Sequence, residues 1–98
     1  MIYRNRRILA IVKKSPKCFG CGRANDGTVV GAHCNSQILG HGMGIKAADI
    51  VAALCGDCHS GYDGRAPGPI VHNCHEQWAW AAVRTMRWVL ETHPEVFQ

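Results

Sequence analysis

Two pairs of cysteines with the same spacing are the residues best suited to chemistry in this chain. Cys18 and Cys21 form the first pair and Cys55 and Cys58 the second, each with two residues between the thiols. A structural Zn²⁺ ion takes four ligands in a tetrahedron, and two CxxC pairs supply four thiolates. The spacing therefore predicts one structural zinc ion held by all four cysteines. A redox CxxC motif or free buried thiols are the alternatives.

Two histidines lie close to these pairs in sequence and are left over if four sulfurs close the zinc site. His33 comes at the end of a predicted strand, and His59 directly follows Cys58. A strand and a zinc-fixed helix could direct both imidazoles into one cleft. There one would activate water as a general base, and the other would hold a divalent ion against a phosphate oxygen. The pair predicts phosphodiester hydrolysis, although a lone histidine is more often a satisfied structural group.

The remaining cysteines and two further histidines are weaker candidates. Cys34 and Cys74 have no partner at CxxC spacing, and we expect both to be small apolar residues. His72 and His75 flank Cys74 and could form a second metal site with it. Helix-entry and surface roles are favoured for these two histidines.

The positive charge of the chain suits a polyanionic partner. The formal net charge is +4 over 98 residues, and basic residues are frequent near the N-terminus. Candidate contacts to nucleic acid are Arg4, Arg6 and Arg7, together with Lys46, which follows a glycine-rich loop and could meet a phosphate. A solvated basic face explains the charge equally well.

The N-terminal segment does not have the pattern of an export signal. Its apolar run, Ile8–Val12, is short and is followed by Lys13 and Lys14. No stretch reaches the length of a membrane span. We therefore expect a cytoplasmic protein without a membrane partner. In that reducing compartment CxxC pairs favour a metal over a disulfide.

Helices at both ends are expected to flank the residues that carry the chemistry, in one domain over 1–98. An amphipathic basic helix is predicted over 4–14, ended by Ser15-Pro16. Helical spacing also predicts a C-terminal helix over 76–92. The expected apolar positions of that helix are Ala79, Ala82, Val83, Met86, Val89 and Leu90. Its three tryptophans are interpreted as packing residues, and they could also pack across a homodimer.

The core is predicted over 17–64, between these helices. Residues 28–32 are interpreted as a strand, and a helix is expected to begin at Cys55. The apolar run 47–54 is too short to distinguish a strand from a helical turn. The first cysteine pair would then lie on a knuckle and the second at a helix start, as in a treble-clef finger.

Several segments resemble a known family of nucleases. Cys18-x-x-Cys21, Ala32-His33 and Ala53-Leu54-Cys55-x-x-Cys58-His59 resemble the zinc-bearing branch of the HNH endonucleases. The segments 33–35, 42–49, 55–59 and 63–64 resemble, more narrowly, the YbcO-like, Ref-related family of small phage and prophage nucleases. The resemblance implies an α+β fold with a zinc-stabilised treble-clef or ββα-metal (HNH) core and flanking N- and C-terminal helices.

The resemblance also implies roles for individual residues. His33 would be the general base and His59 a ligand of a catalytic ion, Mg²⁺ or Mn²⁺. The chain has Ala32 where the HNH pattern has an aspartate ligand, and it lacks the middle asparagine, with Asp49 the nearest polar residue. Asp49 is therefore expected to orient His33 or bind the ion, and Asp63 to supply the missing carboxylate.

Taken together, the sequence predicts a metal-dependent endonuclease that hydrolyses DNA phosphodiester bonds and is encoded by a phage or prophage. The alternative is a non-catalytic zinc-finger module that binds DNA or a protein on the same scaffold. DNA is the expected partner. A recombination protein and a second copy of the chain are further candidates.

Overall fold

Three α-helices surround a two-stranded antiparallel sheet in the part of the chain that the computed structural model describes, residues 6–34 and 50–97. In chain order the elements are α1 (Arg6–Val12), β1 (Val30–Ala32), β2 (Ala52–Leu54), α2 (Gly56–Asp63) and α3 (His75–Thr92), followed by a 3-10 helix (Pro94–Phe97). The α+β class is therefore confirmed. None of the described helices combines the length and apolar character needed to cross a bilayer.

The helix α1 lies within the predicted range 4–14 and ends at Val12, before the Ser15-Pro16 breaker. Its Ile8 and Val12 side chains are fully buried. The carbonyls that follow the helix find a partner in the next loop, where Asn25 Nδ2 donates to the carbonyl oxygens of Lys13 (3.0 Å) and Ser15 (2.9 Å). This amide therefore joins the end of α1 to the segment that carries the first cysteine pair.

The sheet brings the two halves of the core together. Val30 pairs with Leu54, and Ala32 pairs with Ala52, in an antiparallel register. The hydrophobic pattern of the run 47–54 did not distinguish a strand from a helical turn. Its residues 52–54 form a strand, and all three are buried. Since α2 begins two residues after β2 ends, the sheet fixes where the second cysteine pair lies.

Thr28 connects the loop before β1 to the start of α2. Its hydroxyl donates to Asp26 Oδ1 and accepts the backbone N–H of Gly56 at 3.0 Å. Cys55 occupies the N-cap position of α2 and makes no side-chain cap bond. Thr28 therefore supplies the helix start with the acceptor that the N-cap residue does not.

The helix α3 packs mainly against β2, but with a face that differs from the predicted one. Its buried residues are Trp78, Ala81, Ala82, Thr85 and Val89. Of the predicted apolar positions, Val83 and Leu90 are instead 62% and 54% exposed. The prediction was wrong for these two residues because α3 carries apolar side chains on both sides, and periodicity alone does not show which side meets the sheet.

Candidate functional site

The four paired cysteines form one cluster. All four Sγ atoms lie within 4.8 Å of one another, with Cys18 3.6 Å from Cys58 and Cys21 3.8 Å from Cys55. A tetrahedral zinc ion with sulfurs at about 2.3 Å separates them by about 3.8 Å. A disulfide would need about 2.05 Å, and all the cysteines are free. The cluster therefore has the donors and the spacing to hold a zinc ion.

The first cysteine pair lies on a tight knuckle. Lys17 and Ala24 form an isolated antiparallel bridge across it, and the backbone N–H of Gly20 points at Cys18 Sγ, 3.3 Å away. A Cβ atom at Gly20 would lie 3.0 Å from the Leu54 side chain and 3.2 Å from Cys58 Sγ. Because any larger residue would be crowded there, glycine lets the knuckle approach the second cysteine pair.

Backbone and ionic contacts hold the knuckle against the second pair. The backbone N–H of Phe19 donates to the carbonyl oxygen of Ala53 in β2 at 2.9 Å. Arg23 contacts the Asp57 carboxylate in the first turn of α2 at 3.0 Å. Since Cys55 caps this helix and Cys58 lies in its first turn, these contacts bring the two pairs to one point.

The pKa of Cys18 is shifted in the opposite direction from those of Cys55 and Cys58. Burial acts to raise the pKa of Cys18, but hydrogen bonds from the backbone of Cys55, Cys21 and Gly20 outweigh it and lower the pKa to about 7. Burial raises the pKa of Cys55 and of Cys58, and the neighbouring Cys18 thiolate adds to both shifts. Cys18 therefore ionises more readily than Cys55 and Cys58, and a bound cation would favour the thiolate form of the latter two. This is the electrostatic pattern of a metal-binding cluster.

A second group of polar side chains lies along α2 and just after it, beginning at His59, the residue that follows Cys58. His59 Nε2 is 3.0 Å from Asp63 Oδ2, and both side chains are a little under one-third exposed. Arg65 also contacts Asp63 Oδ2, at 3.2 Å. Burial lowers the pKa of His59; Asp63 opposes this shift and Arg65 adds to it. The lowered pKa favours the neutral imidazole, the form in which histidine binds a metal.

The spacing of His59 and Asp63 also fits a shared ion. Two adjacent ligands of an octahedral ion, each about 2.1 Å from it, lie about 3.0 Å apart. The observed separation of Nε2 and Oδ2 equals this value, and it is also the distance of an ordinary N–H···O hydrogen bond. Two donors on one helix would leave the other coordination positions for water or for an oxygen ligand.

The residues on either side of His33 are fixed by contacts to helices. Trp78 Nε1 donates to the Ala32 carbonyl oxygen at 2.9 Å. The buried Tyr62 hydroxyl lies 3.7 Å from Cys34 Sγ and 2.8 Å from His75 Nδ1. Tyr62 belongs to α2 and precedes Asp63 in sequence. The half-buried His33 therefore has as its next residue Cys34, which contacts α2.

Several predicted site residues are not brought together. Across residues 6–34 and 50–97, the cysteine cluster is the only group of three or more side chains that could hold a metal ion. The suggested site of His72, Cys74 and His75 is therefore not formed. Its His75 ring contacts Tyr62 edge-on.

Most of the other predicted site residues lie wholly or partly outside the residues that the structure describes. Arg4, Lys46 and Asp49 lie outside the described residues, and of Arg6 only the backbone is described. Arg7 is exposed on α1. Tyr62 was missed by sequence reasoning. Its position three residues after His59, on neighbouring faces of one helix, is the signal that could have found it.

No protein-family model, no curated protein and no solved structure matches this chain. The resemblance to HNH endonucleases is thus an expectation from the sequence. What the described residues provide is a four-thiol cluster and a histidine–carboxylate pair on the helix that the cluster caps.

Proposed function

We propose that this chain is a zinc-stabilised endonuclease of HNH type that hydrolyses DNA phosphodiester bonds with Mg²⁺ or Mn²⁺. The observation that carries the proposal is the His59–Asp63 pair, with donor atoms 3.0 Å apart on the helix that Cys55 caps. Asp63 takes the place of the carboxylate that the chain lacks at Ala32.

Zinc has a structural role in this proposal. Four thiolates complete its tetrahedron, so no position is left for water or substrate. Cys18, Cys55 and Cys58 are fully buried. The ion would link the knuckle to the first turn of α2 and so fix the position of His59, the residue after Cys58. The imidazoles are then available for a second site.

His33 and His59 divide the chemistry. His33 takes a proton from the attacking water as general base, and its sequence neighbours Ala32 and Cys34 contact Trp78 and Tyr62. His59 and Asp63 bind the divalent ion, which when bound neutralises charge on the phosphate and the leaving oxygen. The lowered pKa of His59 favours the neutral imidazole, in which one ring nitrogen carries no proton and can bind the ion.

Exposed basic residues supply an affinity for the phosphate backbone. Lys13, Lys14 and Lys17 are exposed between α1 and the knuckle, and Arg7 is exposed on α1. The net charge of the chain is +4. Such contacts attract any DNA sequence and weaken as salt is added. The proposed substrate is therefore DNA, bound through its phosphate backbone without a base preference.

A non-catalytic zinc module is the second candidate, and one observation favours it. Arg65 contacts the same Asp63 oxygen as His59 does. A carboxylate that already has a guanidinium partner can be a surface ion pair instead of a metal ligand. On this alternative the cysteine cluster carries the fold, and the basic surface binds DNA without cleaving it.

Nicking of supercoiled plasmid distinguishes the two candidates. The zinc-loaded wild type is assayed with Mg²⁺, with Mn²⁺ and with EDTA, beside His33→Ala, His59→Ala and Asp63→Asn. Loss of a general base or of a metal ligand is expected to lower the nicking rate by about 10²–10⁴-fold. His93→Ala is the matched control, because His93 caps the far end of α3, about 27 Å of helix from His75.

The zinc content of each variant shows whether the cluster is intact. The endonuclease is supported if His33→Ala keeps its zinc and loses nicking while His93→Ala nicks like the wild type. A folded, zinc-loaded wild type that shifts DNA in a gel and leaves plasmid intact with either ion would support the binding module.

A further inference from the structure

The side of α3 that faces away from the sheet carries an apolar strip. Trp80, Val83 and Leu90 are 60%, 62% and 54% exposed. Ala79 lies beside Trp80 and Val83 on the same side, in a shallow groove that Glu76 closes at one end. Exposed large apolar residues grouped on one helix face mark an association surface more often than isolated ones do.

The strip carries charges of opposite sign at its two ends. Glu76 and Arg87 are eleven residues apart, three helical turns, and therefore lie on the same side of α3 about 16 Å from each other. They cannot pair within one helix. Arg87 contacts Glu91 at 3.2 Å, with its own side chain 81% exposed, so guanidinium donors remain for a second carboxylate.

We propose that the outward face of α3 is a self-association surface on which a second copy of this chain docks antiparallel. The two-fold axis crosses the helix pair at the level of the peptide bond between Ala81 and Ala82. Each residue of one copy then faces the residue of the other copy for which the two residue numbers sum to 163. Trp80 of each copy then packs on Val83 of the other, and Glu76 of each meets Arg87 of the other. Both contacts occur twice, as an isologous interface requires.

The charges favour a second copy of this chain as the partner, and they favour the antiparallel orientation of the two α3 helices. A parallel arrangement would place Glu76 against Glu76 and Arg87 against Arg87, which is unfavourable. The antiparallel one pairs opposite charges while it covers Trp80 and Val83. A helix face about 27 Å long and 10 Å wide is smaller than the roughly 800 Å² per partner of a stable interface. The dimer should therefore form and dissociate with concentration.

Sedimentation equilibrium measures this association directly. Over about 10 µM to 1 mM, the mass of the wild type is expected to rise from the monomer value of 10.7 kDa toward twice that value. Glu76→Arg and Arg87→Glu each create two like-charge contacts and should weaken the dimer about tenfold or more. The double variant Glu76→Arg/Arg87→Glu restores opposite charges across the interface and should recover most of the affinity.

Val83→Ser removes the apolar contact and should also give a monomer. Far-UV circular dichroism and zinc content control for folding, which these exposed substitutions leave unchanged. A wild type that stays at 10.7 kDa at every concentration overturns the proposal. So does a double variant that associates as weakly as the single ones. The test requires no nuclease activity, and its outcome is separate from that of the plasmid assay.

Discussion

Thr85 shows how one polar residue can fix the position of a helix on a sheet. It is fully buried in the face of α3 that packs against β2. Its hydroxyl accepts the backbone N–H of Ala53 at 2.9 Å and donates to the Ala81 carbonyl oxygen at 2.7 Å. The Ala53 N–H lies inside the core, so the hydroxyl supplies a partner that water cannot.

Thr85→Val keeps the shape of the side chain and removes this acceptor. We expect the free energy of unfolding to fall by about 1–3 kcal/mol, because the Ala53 N–H is left unpaired in the core. Thr92→Val is the matched control: its hydroxyl bonds the Trp88 carbonyl in the same helix but is exposed. There the change should stay within about 0.5 kcal/mol. Equal losses in the two variants, measured by urea denaturation in excess zinc, would contradict this role for Thr85.

Sequence predicts residue roles well only where the partner is near in the chain or of a distinctive type. The cysteine ligands could be predicted because two thiols at fixed spacing are needed on each side of one ion. Tyr62 and Thr85 could not, since their partners come from other elements. Nothing local to Thr85 indicates that it meets the backbone of Ala53.

The helix α2 is held on two sides. Cys55 of the cluster is its N-cap, and its first turn carries Cys58. Farther along the helix, Gly61 packs so closely on the 68–70 segment that a Cβ there would collide with the Ile70 carbonyl oxygen and lie 3.2 Å from Gly68 Cα. Because both neighbours are backbone atoms, neither can move aside as a flexible side chain would. This close approach helps to fix the position of α2, and therefore of His59 and Asp63, which lie on it.

Gly61→Ala is therefore expected to destabilise the protein by about 1–3 kcal/mol, although alanine is the better helix former. Gly56→Ala, in the same helix, is the control, since its Cβ would make ordinary contacts with Thr28 at 3.4–3.8 Å. Thermal unfolding of the two zinc-loaded proteins makes the comparison. A Gly61→Ala variant as stable as Gly56→Ala would show that α2 does not approach the 68–70 segment this closely.

Elements with a strong local period were predicted better than those formed by distant pairing. The C-terminal helix was placed over 76–92 and is observed at His75–Thr92, because eighteen residues give a clear helical repeat. The strand β2 could not be distinguished from a helical turn. Its conformation is set by pairing with β1, whose residues lie twenty or more positions earlier in the chain. Which face of α3 meets the sheet is likewise a long-range choice.

At the scale of the whole molecule, the cysteine cluster is part of the hydrophobic core. Cys18, Cys55 and Cys58 are fully buried beside Leu54, and Tyr62 lies one turn beyond Cys58. A chain of 98 residues buries only a modest core, so a metal bound by the cluster would contribute much of its stability. Binding of zinc and folding are then expected to be one equilibrium.

In the proposed nuclease, the cluster also determines which residues remain for catalysis. If four sulfurs complete the zinc shell, His59 is available to pair with Asp63, as it does at 3.0 Å. If His59 replaced one sulfur, the second metal site would lose a ligand. The composition of the zinc shell is therefore the point on which the zinc assignment and the nuclease proposal both depend.

X-ray absorption at the zinc edge tests this point most directly. The predicted result is one zinc ion per chain with four sulfur neighbours at about 2.3 Å and no nitrogen or oxygen neighbour. Cys74→Ser, at a half-buried cysteine outside the cluster, should give the same spectrum as the wild type, whereas Cys55→Ser should lose the ion. A shell of three sulfurs and one nitrogen, or cysteines joined as disulfides without zinc, would contradict the account.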